Sequence, residues 1–312
     1  MQNLISAVVE QVGSIVLGKP REIRLALACL LAQGHILIED LPGMGKTTLA
    51  QVLAKTLGLS YQRTQFTSDL LPADVTGISI YHSEKKQFEL HRGPVFNQVV
   101  LADEINRANP KTQSALLEAM AEHQVSIDGT TYELPSPFFV IATQNPLSHA
   151  GTYPLPESQL DRFMMRISLG FPDVEAEKLI LLSQDRDHQF MHLRPCLELE
   201  QLITMQKNID NLSASDAILD YIIALCHVSR GQDENLRPLS PRAGKALLKA
   251  AKAWAFMEDR DYVHPGDIQA VFVAVCQHRL EIVSDSFMQH KEGLALSVLE
   301  QVDPTNPLAK LS

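Results

Sequence analysis

A short apolar run that breaks into a glycine turn constrains this chain more than any other feature. Residues 36–48 read ILIEDLPGMGKTT, and a helix-like stretch follows at residues 48–57. An apolar strand, a glycine-rich turn, Gly-Lys-Thr and a helix, in this order, are typical of a loop that binds nucleotide phosphates. The sequence therefore predicts that such a loop organises the fold.

Each residue of the turn has a chemical reason to be there. Glycine lacks a Cβ atom, so the backbone N–H groups at Gly43 and Gly45 can approach phosphate oxygens closely. The helix N-terminus adds unpaired N–H groups and the positive end of a dipole. Lys46 is expected to reach the β- and γ-phosphates, and Thr47 is expected to place its hydroxyl on Mg²⁺.

One position departs from the usual phosphate-loop pattern. The chain has Asp40 where the pattern has glycine. A carboxylate at this place must point away from the phosphates, or it weakens nucleotide binding. The competing interpretation of the whole stretch is an ordinary strand, turn and helix with a surface lysine.

The composition places the chain among globular proteins of reducing compartments. Its 312 residues are 45% hydrophobic and 21% charged, and this length favours two domains. Cys29, Cys196, Cys226 and Cys276 are far apart, so they indicate neither a disulfide framework nor a zinc site. No signal peptide is predicted, and the longest apolar stretch, residues 25–32, is too short to span a bilayer. We expect a soluble, cytoplasmic protein.

Apolar periodicity predicts alternating strands and helices in the first part of the chain. Strands are predicted over residues 36–38, 61–66, 97–102, 137–143 and 164–169, and helices over residues 4–16, 21–33, 48–57, 110–122 and 173–184. Alternating polarity in residues 77–90 and 124–135 predicts two β-hairpins. This order favours a mostly parallel sheet covered on both faces.

The second part of the chain is predicted to be helical. Residues 187–197 are irregular and indicate a junction between domains. Helices are predicted over residues 198–207, 215–229, 241–257 and 265–278, with another near residues 292–302. The predicted domains are therefore a nucleotide-binding core with N-terminal helices, residues 1–188, and a helical domain, residues 189–312.

Polar residues follow two of the predicted buried strands. Asp103 and Glu104 end one of them, where the first carboxylate can hold Mg²⁺ and the second can polarise an attacking water. Asn145 ends the next strand and can position that water, because ligands gather at the carboxyl ends of parallel strands. The alternatives are a solvated acidic pair and a simple Asn-Pro turn.

Two arginines are candidates for contact with nucleotide phosphates. Arg162 precedes the last predicted strand and could enter a neighbouring subunit's site as an arginine finger. Spacing alone favours a surface ion pair with Asp161 or Glu157 instead. Arg242 begins a helix after the cap Ser240, where it could reach phosphates or remain solvated.

Longer segments of the chain resemble the MoxR family of AAA+ ATPases. They read RTQFTSDLLPADVTG, QVVLADEINRANPKTQSALLEAMAEHQVSIDG, ATQNPLSHAGTYPLPESQLDRF and LSPRAGKALLKAAKAWAF. The resemblance extends over roughly residues 18–280. It implies an α/β fold: a P-loop AAA+ αβα core with a parallel sheet and two β-hairpin insertions, followed by a C-terminal α-helical lid domain.

The resemblance also implies a role for each matching residue. Mg²⁺ would be held by Thr47 and Asp103. The catalytic residues would be Glu104, Asn145 as sensor 1 and Arg162 as arginine finger. The residues that contact the nucleotide would be Pro42, Gly43, Met44, Gly45, Lys46, Thr47, Thr48, Asp103 and, as sensor 2, Arg242. Arg107 is a further candidate for the subunit interface.

The implied function is Mg²⁺-dependent ATP hydrolysis by an oligomeric ring, a hexamer, that remodels or matures protein complexes in a chaperone-like manner. The implied partner is a protein client or a von Willebrand factor A domain. One alternative, a nucleic-acid-stimulated motor, is disfavoured by the net charge of −10. The other, a nucleotide-gated binding module with negligible turnover, is disfavoured by the intact Lys46, Asp103, Glu104 and Asn145.

Overall fold

The structure, a computed structural model, describes residues 1–146, 151–182, 190, 192–231, 237–281 and 293–310. The boundary predicted between residues 188 and 189 lies outside these residues. In chain order the strands are β1 (Ile36–Glu39), β2 (Tyr61–Gln65), β3 (Gly77–His82), β4 (Gln87–Arg92), β5 (Val99–Asp103), β6 (Gln124–Ile127), β7 (Thr130–Glu133), β8 (Phe139–Gln144) and β9 (Met165–Ile167).

The helices complete the described elements. They are α1 (Gln2–Gly13), α2 (Pro20–Leu31), α3 (Lys46–Thr56), α4 (Pro72–Thr76), α5 (Pro110–Glu122), α6 (Glu157–Leu160), α7 (Val174–Leu182), α8 (Leu199–Asn211), α9 (Asp216–Val228), α10 (Pro241–Met257), α11 (Pro265–Leu280) and α12 (Gly293–Glu300). Short 3₁₀ turns lie at Pro94–Phe96, Ile105–Arg107 and Pro307–Lys310.

A five-stranded sheet forms the centre of the first part, in the order β2-β5-β8-β1-β9. Every neighbouring pair in this sheet is parallel. β3 pairs with β4, and β6 with β7, as separate antiparallel hairpins. Because the five strands run in one direction, the loops that follow them lie at the same edge of the sheet.

Alternate side chains of the strands enter two different apolar clusters. Leu37, Val100 and Val140 belong to the cluster that contains α5 residues such as Leu116. The residues beside them in sequence, including Ile38, Leu101 and Ile141, belong to a larger cluster with α2 and α3. Burial on both faces explains why these strands are almost continuously apolar in the sequence.

The N-terminal helices connect the sheet to the helical part. α2 packs against α8 and α10. Arg24 forms an ion pair with Glu258 and lies 4.9 Å from the ring centroid of Trp254. The Nε2 atom of Gln206 donates to Leu30 O at 3.0 Å. One apolar cluster therefore extends from the sheet into the helical part.

The predicted parallel sheet, both hairpins and the helical second part are confirmed. Element ends differ by a few residues. α8 extends to Asn211 because Met205 and Ile209 continue its buried face. The strand predicted from residue 97 begins at Val99. Among the described residues, no helix is long and apolar enough to cross a membrane.

Candidate functional site

The loop between β1 and α3 has the geometry expected for phosphate binding. Gly43 and Gly45 have φ angles of 85° and 86°, in the left-handed region that favours glycine. A Cβ atom at either position would meet no heavy atom within 4 Å, so the backbone is approachable there. Gly45 immediately precedes α3, whose first N–H groups have no partner within the helix. Pro42, Met44, Thr47 and Thr48 complete the loop and the first turn.

The Lys46 ammonium is held at this loop. Its Nζ atom donates to Asp40 O at 2.5 Å and to Leu41 O at 3.1 Å. Burial lowers the pKa of Lys46, while the nearby carboxylates of Asp40, Asp103 and Glu104 act in the opposite direction. Lys46 is thus held at the start of the loop, near enough to Asp103 and Glu104 at the end of β5 for their charges to act on it.

The Asp40 carboxylate faces the segment that follows β9. Its Oδ2 atom accepts from Leu169 N at 2.5 Å, from Gly170 N at 2.8 Å and from the Ser168 hydroxyl at 3.1 Å. The side chain is buried. Three donors within the chain therefore bind the carboxylate. It points toward residues 168–170, as an acid in place of the usual glycine must if it is not to weaken nucleotide binding.

We expect Asp40→Asn to affect stability more than nucleotide affinity. The neutral amide weakens the charge-assisted bonds, which lowers the free energy of unfolding by about 2 kcal/mol. The affinity for ATP should change less than about threefold, well under 1 kcal/mol. Urea unfolding and ATP titration measure the two quantities. Ser168→Ala is the matched control and should lower stability less, because it removes one of the three donors. Much tighter ATP binding by Asp40→Asn at unchanged stability would show that the carboxylate instead repels phosphates.

Asp103 and Glu104 are oriented by one hydroxyl group. Thr143 Oγ1 donates to Asp103 Oδ1 at 2.6 Å and accepts from Glu104 N at 2.8 Å. Glu104 adopts a φ angle of 56°, uncommon for a residue with a side chain. The other Asp103 oxygen, Oδ2, accepts from Arg63 Nη2 at 2.7 Å. The two carboxylates consequently leave the end of β5 in fixed and different directions.

The Glu104 side chain is held by two donors. Its Oε2 atom accepts from Gln65 Nε2 at 3.1 Å and lies 2.7 Å from Arg107 Nε. The structure places Arg107, the further candidate for the subunit interface, in contact with Glu104 of the same chain. These contacts direct the carboxylate toward β2 and the 3₁₀ turn.

Asn145 lies where the sheet brings the loop and the carboxylates together. It directly follows β8, and β8 lies between β5 and β1 in the sheet. Gln144 is opposite Glu39 in the strand register, and its carbonyl accepts from Asp40 N at 3.2 Å. Asn145 is therefore adjacent to the start of the loop.

Arg162 and Arg242 lie in a different part of the structure. Arg162 Nη1 donates to Leu117 O of α5 at 2.5 Å, in a recess that also contains Glu118 and Gln159. Arg242 has 59% of its side chain exposed, and its Nε atom is 3.8 Å from Asp161 Oδ2.

The two carboxylates that spacing favours as partners of Arg162 form ion pairs with other arginines. Asp161 binds Arg279 with a distance of 2.7 Å between Oδ1 and Nε, and Glu157 pairs with Arg237. The interpretation of Arg162 as a simple partner of Asp161 or Glu157 is therefore wrong, because more distant arginines reach both carboxylates.

Arg63, Gln65 and Thr143 are site residues that sequence reasoning missed. All three lie on strands. Arg63 and Gln65 meet the carboxylates because β2 pairs with β5, and Thr143 meets them because β8 pairs with β5 on the other side. Their position next to predicted strand ends was the available signal. It was insufficient because the order and register of the strands are needed to pair them.

The donor chemistry fits a magnesium–nucleotide complex. Thr47 and Asp103 offer hard oxygen ligands, which Mg²⁺ prefers. In the part of the chain that the structure describes, no group of three or more His, Cys, Asp and Glu side chains could hold a metal ion. Magnesium usually combines one or two protein oxygens with substrate phosphates and water, so this small donor set is sufficient.

Comparison with known proteins shows the protein family to which this chain belongs. Residues 35–165 match the family described as ATPase family associated with various cellular activities (AAA), and residues 238–296 match the AAA lid domain. The chain is 38% identical over 285 residues to chaperone MoxR1 of Mycobacterium tuberculosis, covering 88% of this chain and 75% of that protein. It belongs to the MoxR family of AAA ATPases.

Two further comparisons support the same family and fold. The chain is 46% identical over 277 residues to YeaC of Bacillus subtilis, covering 89% of this chain and 87% of that protein. The crystal structure of a Cytophaga hutchinsonii protein superposes with a TM-score of 0.86 at 38% identity and covers 97% of this chain and 95% of that one. The predicted family, the AAA core with its helical lid, and the ATPase class are confirmed.

Proposed function

We propose that this ATPase hydrolyses Mg²⁺-bound ATP as an oligomeric ring, a hexamer, and uses the energy for chaperone-like remodelling or maturation of protein complexes. The observation that supports it is the meeting of the phosphate loop, Asp103, Glu104 and the end of β8 at one edge of the sheet. The relative named chaperone MoxR1 supports the remodelling role.

Binding would use the loop as it is built. Residues 42–48 would surround the phosphates with backbone N–H groups, and Lys46 would exchange its two loop carbonyls for phosphate oxygens. Thr47 and Asp103 would hold Mg²⁺, whose charge offsets that of the phosphates. Arg63 would have to release Asp103 Oδ2 or share it.

Hydrolysis would depend on Glu104 and Asn145. Glu104 would accept a proton from the attacking water, and Asn145 would position that water beside the γ-phosphate. Gln65 and Arg107 both hold the Oε2 atom of the Glu104 carboxylate, so Oε1 would be the oxygen that accepts the proton.

The ring is supported by the place of Arg162. Its side chain donates to Leu117 O of α5, whereas Lys46 lies at the loop, where the charges of Asp103 and Glu104 act on it. An arginine that follows α6 and contacts α5 through a backbone carbonyl is suited to enter a neighbouring subunit's site as the arginine finger. Arg242, at the start of α10, would act as sensor 2 and contact the nucleotide phosphates.

The partner would be a protein client or a protein with a von Willebrand factor A domain. Capture by a Glu104→Gln ring, which should retain ATP, tests this role. A net charge of −10 makes the nucleic-acid-stimulated motor the weaker candidate, and stimulation of turnover by DNA would favour it. The four free cysteines are consistent with work in the cytoplasm.

Lys46→Ala tests the binding step. Loss of a half-buried ammonium that contacts phosphates should weaken ATP binding by about 2–5 kcal/mol, at least about 30-fold. A fluorescent ATP analogue measures the dissociation constant. Lys55→Ala, at the other end of α3, is the matched control and should bind normally. Unchanged affinity in Lys46→Ala would remove the loop from the proposed site.

A further inference from the structure

The short helix α6 and the arginine after it are attached to the helical lid at both ends. At the start of α6, Glu157 pairs with Arg237, which directly precedes the matched lid residues 238–296 and donates its backbone N–H to Leu280 O of α11. At its end, Asp161 pairs with Arg279 of α11. Arg162 is the next residue. The segment that carries the proposed arginine finger is therefore bound by the lid and not only by the core.

Arg279 makes most of this attachment. Only 6% of its side chain is exposed, and its Nε atom donates to Asp161 Oδ1 at 2.7 Å. Its Nη2 atom donates to Phe163 O at 2.9 Å, and its Nη1 atom to Met164 O at 3.0 Å. The guanidinium thus binds the residues on both sides of Arg162, and its planar fork fixes their relative positions.

The same carboxylate also faces the proposed sensor arginine. Asp161 Oδ2 is 3.8 Å from Arg242 Nε. Because Arg242 is mostly exposed, this contact is weak and easily exchanged. A sensor arginine that moves toward nucleotide phosphates would leave Asp161, whereas Arg279 is buried and would stay.

We propose that Asp161 and Arg279 are positioning residues for Arg162: they transmit the position of a subunit's lid to the arginine that this subunit offers to its neighbour. This inference rests on the proposed ring and finger. It adds that the coupling between subunits runs one way: the position of one subunit's lid would control the rate of hydrolysis in the next subunit. An ion pair that serves only the stability of its own subunit would not affect catalysis in the next one.

A mixture of two inactive subunits tests the direction. The donor carries Lys46→Ala and offers an intact Arg162; the acceptor carries Arg162→Ala and has an intact nucleotide site. Their mixture should regain hydrolysis.

Asp161→Asn is then placed in the donor or in the acceptor. In the donor we expect the recovered kcat to fall about 100-fold, the effect of a misplacement of about 1 Å. When Asp161→Asn is in the acceptor, we expect the recovered kcat to change by less than about twofold. When it is in the donor, KM for ATP should stay unchanged while kcat falls.

The controls separate positioning from stability. Asp267→Asn in the donor breaks another buried ion pair, with Arg260, and should leave the recovered rate unchanged at a comparable loss of Tm. If Asp161→Asn does not fold, Arg279→Lys keeps the charge, loses the fork and should give the same asymmetry. An equal loss from donor and acceptor, or no loss, overturns the inference. Absence of recovery in the unmodified mixture overturns the finger assignment itself, and the inference with it.

Discussion

Replacement of Glu104 by glutamine should leave ATP bound and nearly stop its hydrolysis. Glutamine has almost the same size and still accepts hydrogen bonds from Gln65 and Arg107, so the loop and its surroundings should be preserved. It cannot take the proton of the attacking water, and loss of such a base lowers kcat by about 10²–10⁴-fold. Phosphate release under saturating ATP measures the rate, and a fluorescent ATP analogue measures the affinity.

The matched control for Glu104→Gln is the same exchange at an exposed carboxylate. Glu133 lies exposed on β7, and Glu133→Gln should hydrolyse ATP at the normal rate. Hydrolysis by Glu104→Gln at the normal rate would refute the role given to this residue. Loss of ATP binding together with hydrolysis would instead show that Glu104 supports the loop.

Arg162→Ala should lower kcat by about 10³-fold or more while ATP still binds. An arginine finger stabilises the charge that develops on the transferred phosphoryl group, and its removal has an effect of this size. The present partner of the guanidinium is a carbonyl of α5, so the substitution should cost little stability. Steady-state turnover and ATP titration separate the effects on kcat and on affinity.

Mixed rings distinguish a finger that acts between subunits from one that acts within a subunit. Arg162→Ala mixed with Lys46→Ala should recover activity, because each supplies what the other lacks. Arg162→Lys, which keeps the charge but not the planar fork, should be intermediate. If Arg162→Ala alone turned over ATP normally, Arg162 would have no catalytic role.

Features carried by contiguous residues could be predicted from the sequence. The phosphate loop, the acidic pair Asp103-Glu104 and the hairpin of residues 124–135 each lie within a short stretch of the chain. Their physics is local, since glycine geometry, strand termination and turn preference depend on neighbours in the chain. The alternation of helices and strands likewise predicted the parallel sheet.

Features that join distant residues could not be predicted in this way. Thr143 bridges Asp103 and Glu104 only because β8 lies beside β5. Asp161 and Arg279 are 118 residues apart, and no local pattern pairs them. The role of Asp40 as an anchor for residues 168–170 depends on β9 lying next to β1. Strand order and the packing of the lid determine these contacts, and a short stretch of sequence predicts neither of them.

The central claim is that residues 42–48 hold the triphosphate which Glu104 helps water to cleave. A single-turnover experiment with γ-labelled ATP and Mg²⁺ tests it most directly, because it follows bound and cleaved nucleotide in one sample. The wild-type protein should bind ATP and release labelled phosphate, Glu104→Gln should hold the ATP uncleaved, and Lys46→Ala should bind almost none. A folded wild-type protein that binds no ATP, or equal cleavage by all three proteins, would contradict the claim.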